Sequence, residues 1–398
     1  MSREHVPEAT GPSSVRTALR PDVLPLLLGY WAFGQFWGVW VILVSYFQAY
    51  HHITDSRIGI LYTLLATVAV LVMAFVAPRL QGLKISQSVS LSLASLAAGA
   101  AVIALQPSSL LIVGFAMVGL GNGLIDVYAN VAAQRSEIRI GKPILQWMHA
   151  CYALGGITGA AVAGLTQIAG MDHRVGVLYS AVALVVTALI AARKVPKEHV
   201  GTSTDTSFSV SALFKNPALW IPALVVLSSF LVEGSMDTWS GRYLIGELGA
   251  TPGVAASVFI AYSAALFLGR MFAGRVLFGL GPRATILAAG IGAAVGGTIA
   301  AITDSPAVVG MAYLLMGFTI AAAAPAGFSL INVPDDEATN AVAAVSTVGY
   351  TGFIWSPPIL GWVADSFSLR ASVSVIVIAT MGIIAGGLLA PRRMVVRD

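Results

Sequence analysis

One cysteine in 398 residues, Cys151, sits inside a hydrophobic run, which excludes an intrachain disulfide and a thiolate metal cluster. It reads as a small buried apolar residue. Charge is scarce as well: Asp, Glu, Lys and Arg make up 10% of the chain, against about 25% in a soluble domain. No H-E-x-x-H, C-x-x-C or G-x-S-x-G occurs, so the common signatures of metallopeptidases, dithiol redox proteins and serine hydrolases are missing. Gly119-x-Gly121-x-Gly123 lies within an apolar helical run rather than between a strand and a helix, and Gly141-Lys142-Pro143 lacks the hydroxyl residue that a nucleotide loop places after its lysine. These absences exclude ATP-driven and enzymatic readings, and no cofactor or metal is expected. The formal net charge of +4 is scattered over short loops, so nucleic acid is not an expected partner.

What the chain does have is hydrophobic length. Residues of the hydrophobic types make up 57% of it, and twelve apolar runs can be drawn at 22–49, 57–80, 85–105, 109–134, 144–169, 175–194, 218–242, 253–278, 284–303, 306–331, 339–364 and 371–391. Runs of about 20 residues exclude a β-barrel and predict an all-α membrane protein of twelve transmembrane helices. A polar tail, 1–20, carries no signature of a cleaved leader. Arg193 to Asn216 is rich in Ser, Thr and charge. The expected division is therefore a cytoplasmic tail at 1–20, a six-helix bundle at 21–194, a cytoplasmic linker at 195–217, a second six-helix bundle at 218–391 and a tail at 392–398.

Loop charge sets the orientation. With the N-terminus cytoplasmic, 18 of the 22 Lys and Arg residues fall on the cytoplasmic side, and Arg57, Arg174, Arg242 and Arg370 fall on the other. That asymmetry predicts an even number of spans, with both termini inside the plasma membrane. A faint repeat agrees. Val113-Gly114-x-Ala116 recurs as Val309-Gly310-x-Ala312, while Gly155 and Gly164 match Gly352 and Gly361 at an offset close to half the chain. The two bundles are thus expected to be pseudo-symmetric copies.

Several longer stretches carry a resemblance. G-L-G-N-G-L-I-D-V-Y-A-N at 119–130, G-K-P-I-L-Q-W-M-H-A-C-Y-A-L-G-G-I-T-G-A at 141–160, E-G-S-M-D-T-W-S at 233–240, G-R-x-x-x-G-R at 269–275 and G-Y-T-G-F-I-W-S-P-P-I-L-G at 349–361 resemble the major facilitator superfamily, specifically its fucose-permease-like branch. The resemblance spans the whole chain and implies two six-helix bundles that carry a solute by alternating access. Two departures stand out. The 2–3 loop, A-P-R-L-Q-G-L-K at 77–84, has no acidic residue, and the first span has none beyond its entry at Asp22, Gln35 being its strongly polar residue at mid-depth.

The candidate residues follow from polarity inside apolar runs, where a charged or strongly polar side chain marks a pathway by default. Asn122, Asp126 and Asn130 recur every four residues and so stack on one face of the fourth span. Gln146 and His149 enter the fifth span at a matched depth, so that Asp126 and His149 are candidates to share a proton, or else to lock the two helices together. With Gln35, and with Trp37 and Tyr350 as stacking aromatics, they form the expected solute path. Glu233 and Asp237, one turn apart in the seventh span, join Asp126 as proton-coupling candidates. By resemblance, Arg270 and Arg275 are gating residues at the cytoplasmic end of the eighth span. The function expected is symport of a small, sugar-like solute with protons, by a monomer. Export of amphipathic compounds and a transport-inactive receptor on the same fold are the alternatives.

Overall fold

The computed structural model describes residues 19–80, 82–105, 107–140, 144–195 and 211–391, and it is helical throughout. In lipid, a spanning segment must satisfy its own backbone groups, which leaves these apolar stretches no other regular conformation. The helices are α1 Leu24–His51, α2 Asp55–Leu71, α3 Ile85–Leu105, α4 Leu111–Ile140, α5 Leu145–Ile168, α6 His173–Lys194 and α7 Trp220–Gly246. The next element, Pro252–Ile302, is helical over 51 residues but breaks at Gly281, whose φ of 74° and ψ of 167° are followed by Pro282. Glycine tolerates a positive φ and proline is favoured at the first position of a helix, so the stretch is two helices, α8 at 252–280 and α9 at 282–302. Then come α10 Pro306–Ile320, continued after a break by Ala323–Phe328, α11 Asp335–Ser366 and α12 Leu369–Leu389.

By length and apolarity alone, ten of the described helices qualify as membrane spans, and Pro252–Ile302 is counted once among them. Dividing it at Gly281 and adding α11, whose Pro357 and Pro358 lie mid-helix, gives the twelve that the sequence predicts. The polar tails and most of the linker, residues 196–210, lie outside the described residues.

The chain forms two compact units. The first comprises Met1–Trp40, Leu64–Val162 and Gly170–Thr204; the second comprises Val41–Thr63, Ala163–Ala169 and Asp205–Asp398. These bounds differ from a simple cut at the linker, because the adjoining ends of α1 and α2 and a short piece of α5 group with the second unit.

Within the first unit, α1 and α5 meet backbone to backbone. A Cβ built on Gly34 or Gly38 would run into the carbonyl oxygen of Tyr152 or Gly156, and one on Gly155 or Gly159 into that of Trp31 or Gln35. Two small-x-x-x-small faces therefore interlock, the arrangement that van der Waals packing favours when lipid removes the hydrophobic drive between helices. The glycines beside the α4 polar stripe serve the same end. Gly119 and Gly123 lie against the backbone of α2 at Leu65 and Ala69, and Gly121 against α3 at Leu96 and Ser92.

In the second unit, α9 packs on α10, and α7 on α11 and α12. A one-turn helix, Ser211–Lys215, tucks Leu213 under α7 and α11 beside Leu219, Ala223 and Val345.

Candidate functional site

The second unit contains an ion pair in the membrane-spanning part of the chain. Glu233, at the middle of α7, is buried, and its Oε2 accepts a hydrogen bond from an Arg270 guanidinium nitrogen at 2.5 Å. Arg270 was expected to gate the cytoplasmic end of its span. The structure sets it about ten residues before the Gly281 break, ~15 Å from that helix end, and directed at Glu233. One turn on from Glu233, Asp237 is half-buried and makes no hydrogen bond or ion pair among the described residues, though it feels the charges of both Glu233 and Arg270. Tyr262 on α8 brings a buried hydroxyl within electrostatic reach of all three. Nothing in the sequence pattern singled out Tyr262, although its spacing of eight before Arg270 sets both on one helical face.

Around this cluster lie rings and hydroxyls. Tyr350 packs in a group with Phe230 and Phe353, the rings tilted and their centroids 4.9–6.4 Å apart. Ser356 on α11 presses on α7 at Gly234, where a Cβ would stand 2.8 Å from its Oγ. Arg275 is exposed, with its guanidinium carbon 5.9 Å from the Phe272 ring centroid, and joins none of these groups.

The first unit arranges its candidates differently. Asn122, Asp126 and Asn130 do line up along α4, each half-buried. The Asp126 carboxylate makes no hydrogen bond among the described residues, so none joins it to His149. Tyr30, which the sequence reading passed over, makes the connection instead: its hydroxyl donates to Asn130 Oδ1 at 3.3 Å, and its ring meets the exposed His149 edge-on at 6.0 Å. Gln35 is fully buried, donating from Nε2 to Ser180 Oγ at 3.2 Å and leaving its Oε1 unmatched. Trp37 is half-buried, its ring against Phe36. The side chain of Gln146 lies outside the described residues.

A third group occupies the α1–α2 turn, in residues belonging to the second unit. Arg242 of α7 grips Asp55 with two nitrogens, Nε to Oδ1 at 2.8 Å and a terminal nitrogen to Oδ2 at 3.1 Å, and Gln48 adds a 2.8 Å bond to Oδ1. Asp365, in the last turn of α11 and past the apolar run that ends at 364, accepts from the backbone amides of Asp55 and Ser56 at 3.1 and 2.8 Å. It thus caps the first turn of α2, whose amides have no partner within their own helix. Burial pushes the Asp365 carboxyl up, but the donors of Ser56, Thr54 and Asp55 outweigh it and hold it below the usual carboxylate range. The sequence showed Arg242 only as one of four arginines on the less basic side. Three of those four, Arg174, Arg242 and Arg370, are tied to carboxylates.

Comparison with known proteins agrees with this architecture. The model of the Major Facilitator Superfamily matches residues 26–332. An uncharacterised MFS-type transporter of Yersinia pestis is 29% identical over 280 residues, 70% of either chain. The nucleoside transporter NupG, as its D323A mutant, superposes with a TM-score of 0.73 at 12% identity, over 93% of this chain and 99% of that one. An inward-facing, unoccupied bacterial homologue of the human lysosomal transporter Spinster gives 0.73 at 13% identity, over 92% and 95%. At such identities the structural matches establish the fold alone.

Proposed function

The chain belongs to the Major Facilitator Superfamily, and we propose on that premise that it is a proton-coupled secondary transporter of a small, polar, sugar-like solute. The family is one of multi-pass membrane transporters, not enzymes. On this reading the chain works as a monomer in the plasma membrane by alternating access, with both termini cytoplasmic. The stretches at 119–130, 141–160 and 349–361 support its placement in the fucose-permease-like branch.

The observation that carries proton coupling is the cluster of Glu233, Asp237 and Arg270, two carboxylates facing one guanidinium inside a spanning bundle. A charged group held there at a cost of roughly 3 kcal/mol or more persists for a reason, and exchange of a proton is the simplest one. The polar stripe of α4 and the Tyr30–Asn130 bond support a hydrophilic path in the first unit. Aromatic rings near a path can stack on a sugar face, and Tyr350 with Phe230 and Phe353 offers such a surface in the second.

The test uses purified protein and a thermal-shift panel of sugars and polyols, since a ligand that binds the native state raises its melting temperature. With a ligand in hand, Glu233→Gln is reconstituted into proteoliposomes. Glutamine mimics the protonated form, so exchange between equal pools should persist while accumulation driven by an imposed pH gradient is lost. Accumulation at the wild-type level in Glu233→Gln would overturn the role given to the cluster.

A further inference from the structure

The second unit holds more polar groups than its ion pair uses. Arg270 is engaged by Glu233, so Asp237 leaves the cluster with one uncompensated negative charge. A carboxylate partly withdrawn from water inside a spanning bundle is disfavoured without a counter-charge, and the position therefore calls for one cation. The same unit holds three buried hydroxyls that have no hydrogen-bond partner among the described residues: Tyr262, Ser229 and Ser356. Tyr262 is within electrostatic reach of Asp237. Ser229 lies one turn before Glu233 on α7, and Ser356 abuts Gly234 from α11. Among the described residues, Glu233 and Arg270 are the charged groups that act on Asp237, and Arg270 is the one cation of the two.

A proton on Asp237 would settle the charge but leave the hydroxyls unmet, and buried polar groups are otherwise almost always satisfied. We propose that Asp237, Tyr262, Ser229 and Ser356 form a site for a solute that carries one protonated amine on a polyhydroxylated frame. The ammonium group donates to Asp237, and the solute's hydroxyls bond to those of Tyr262, Ser229 and Ser356. The proposal rests on the reading of a sugar-like solute given above and narrows it to amino sugars and amino polyols. It also has a consequence for coupling. One ammonium brings the same single charge as one proton, so the two exclude each other at this cluster, and an amine solute is moved in exchange for a proton.

The experiment compares glucosamine, glucose and gluconate by thermal-shift titration of the full chain in detergent, at constant ionic strength in potassium chloride and at a pH that keeps the amine protonated. A fourth arm replaces potassium with sodium. Glucosamine should bind at least tenfold more tightly than glucose, and Asp237→Asn should bring that ratio close to one; a tenfold ratio that persists in Asp237→Asn would overturn the proposal. Should Asp237→Asn fail to fold, Tyr262→Phe serves in its place, and it should weaken glucosamine severalfold; unchanged affinity would remove the site. Equal affinity for glucosamine and glucose, tightest binding of gluconate, or stabilisation by sodium in place of the amine would each overturn the proposal and leave the sugar-like path standing. Binding of none of the three sugars would overturn both.

Discussion

The two units are built on one plan and close it differently. In the first, Gly155 of α5 lies against the Trp31 carbonyl and the Gln35 amide of α1; in the second, Gly352 of α11 lies against the Leu227 carbonyl and the Leu231 amide of α7. Residues 31 and 35 precede 227 and 231 by 196, and 155 precedes 352 by 197, so the same seam is made twice. One turn along, the copies diverge. Gly156 and Gly159 let α1 and α5 touch through their backbones, whereas Phe353 and Ser356 stand at the corresponding places and wedge α7 from α11 at Gly234. The wedged seam is also the charged one, since Glu233 corresponds to Trp37 and Asp237 to Val41 at the offset of 196. A duplicated scaffold thus keeps one half tight and apolar at this level, and gives the other the room and the charge.

The contrast can be broken most forcefully at its tight end. Gly38→Ala puts a methyl group where the Gly156 carbonyl already sits, and neither backbone can turn aside. We expect a loss of ~3 kcal/mol, the upper part of the overpacking range, seen as loss of monodisperse protein on size exclusion after mild heating. Next comes the clasp at the α1–α2 turn. Arg242→Ala strips a buried carboxylate of its partner and should cost about 2 kcal/mol, less than a deeply buried pair because Arg242 is partly exposed. Asp55→Asn in the same background should recover part of that loss, and a double variant no better than the single one would show the pair to be idle.

At the wedged seam, Gly234→Ala meets the edge of Phe353 and the hydroxyl of Ser356, both able to rotate. Its cost should be about 1 kcal/mol, and a loss equal to that of Gly38→Ala would erase the difference between the units.

The smallest effect belongs to a local cap in the first unit. Asp172 accepts from the Arg174 amide and guanidinium, which hold its carboxyl down at about 2. Its folded pKa is depressed, so the stability it contributes is fully present above the ordinary carboxylate pKa of about 4 and is lost as pH falls toward about 2. Asp172→Ala should therefore lower the unfolding free energy by up to about 1 kcal/mol at pH 7 and by almost nothing at pH 2, measured by denaturant unfolding at the two pH values.

Much of this was legible in the chain because membrane helices advertise themselves. Twelve apolar runs, a gap between the eighth and ninth at 279–283, and a repeat near half the length are one-dimensional signals, and the structure keeps them, with the break itself at Gly281. The glycines at 119, 121 and 123, which the sequence shows not to be a phosphate loop, are places of close approach toward α2 and α3. What hydropathy cannot supply is depth to within a turn or the identity of the facing helix. Arg270 was placed at the cytoplasmic end of its span, yet it meets Glu233 at mid-helix, because each lies several residues from the boundary drawn for it. Asp126 and His149, matched in depth by the same crude ruler, share no hydrogen bond among the described residues; Tyr30 touches Asn130 and His149 instead. Tyr262 and Ser356 carried no signal, since a single hydroxyl in an apolar run is ordinary until a neighbouring helix shows that it has no partner. Tertiary packing brought those side chains to their places, and no local pattern encodes it.

The cap on α2 sets a timetable for the making of the protein. The amide of Asp55 waits for a carboxylate 310 positions further along the chain. At about 5–20 residues per second, a ribosome needs roughly 15–60 s to deliver it. For that interval the first hairpin to emerge stands in the membrane with the start of its second helix unclosed. Chains arrested before Asp365 should accordingly leave this turn open to proteases that full-length chains resist, so the last helix but one to be synthesised finishes what the first two began.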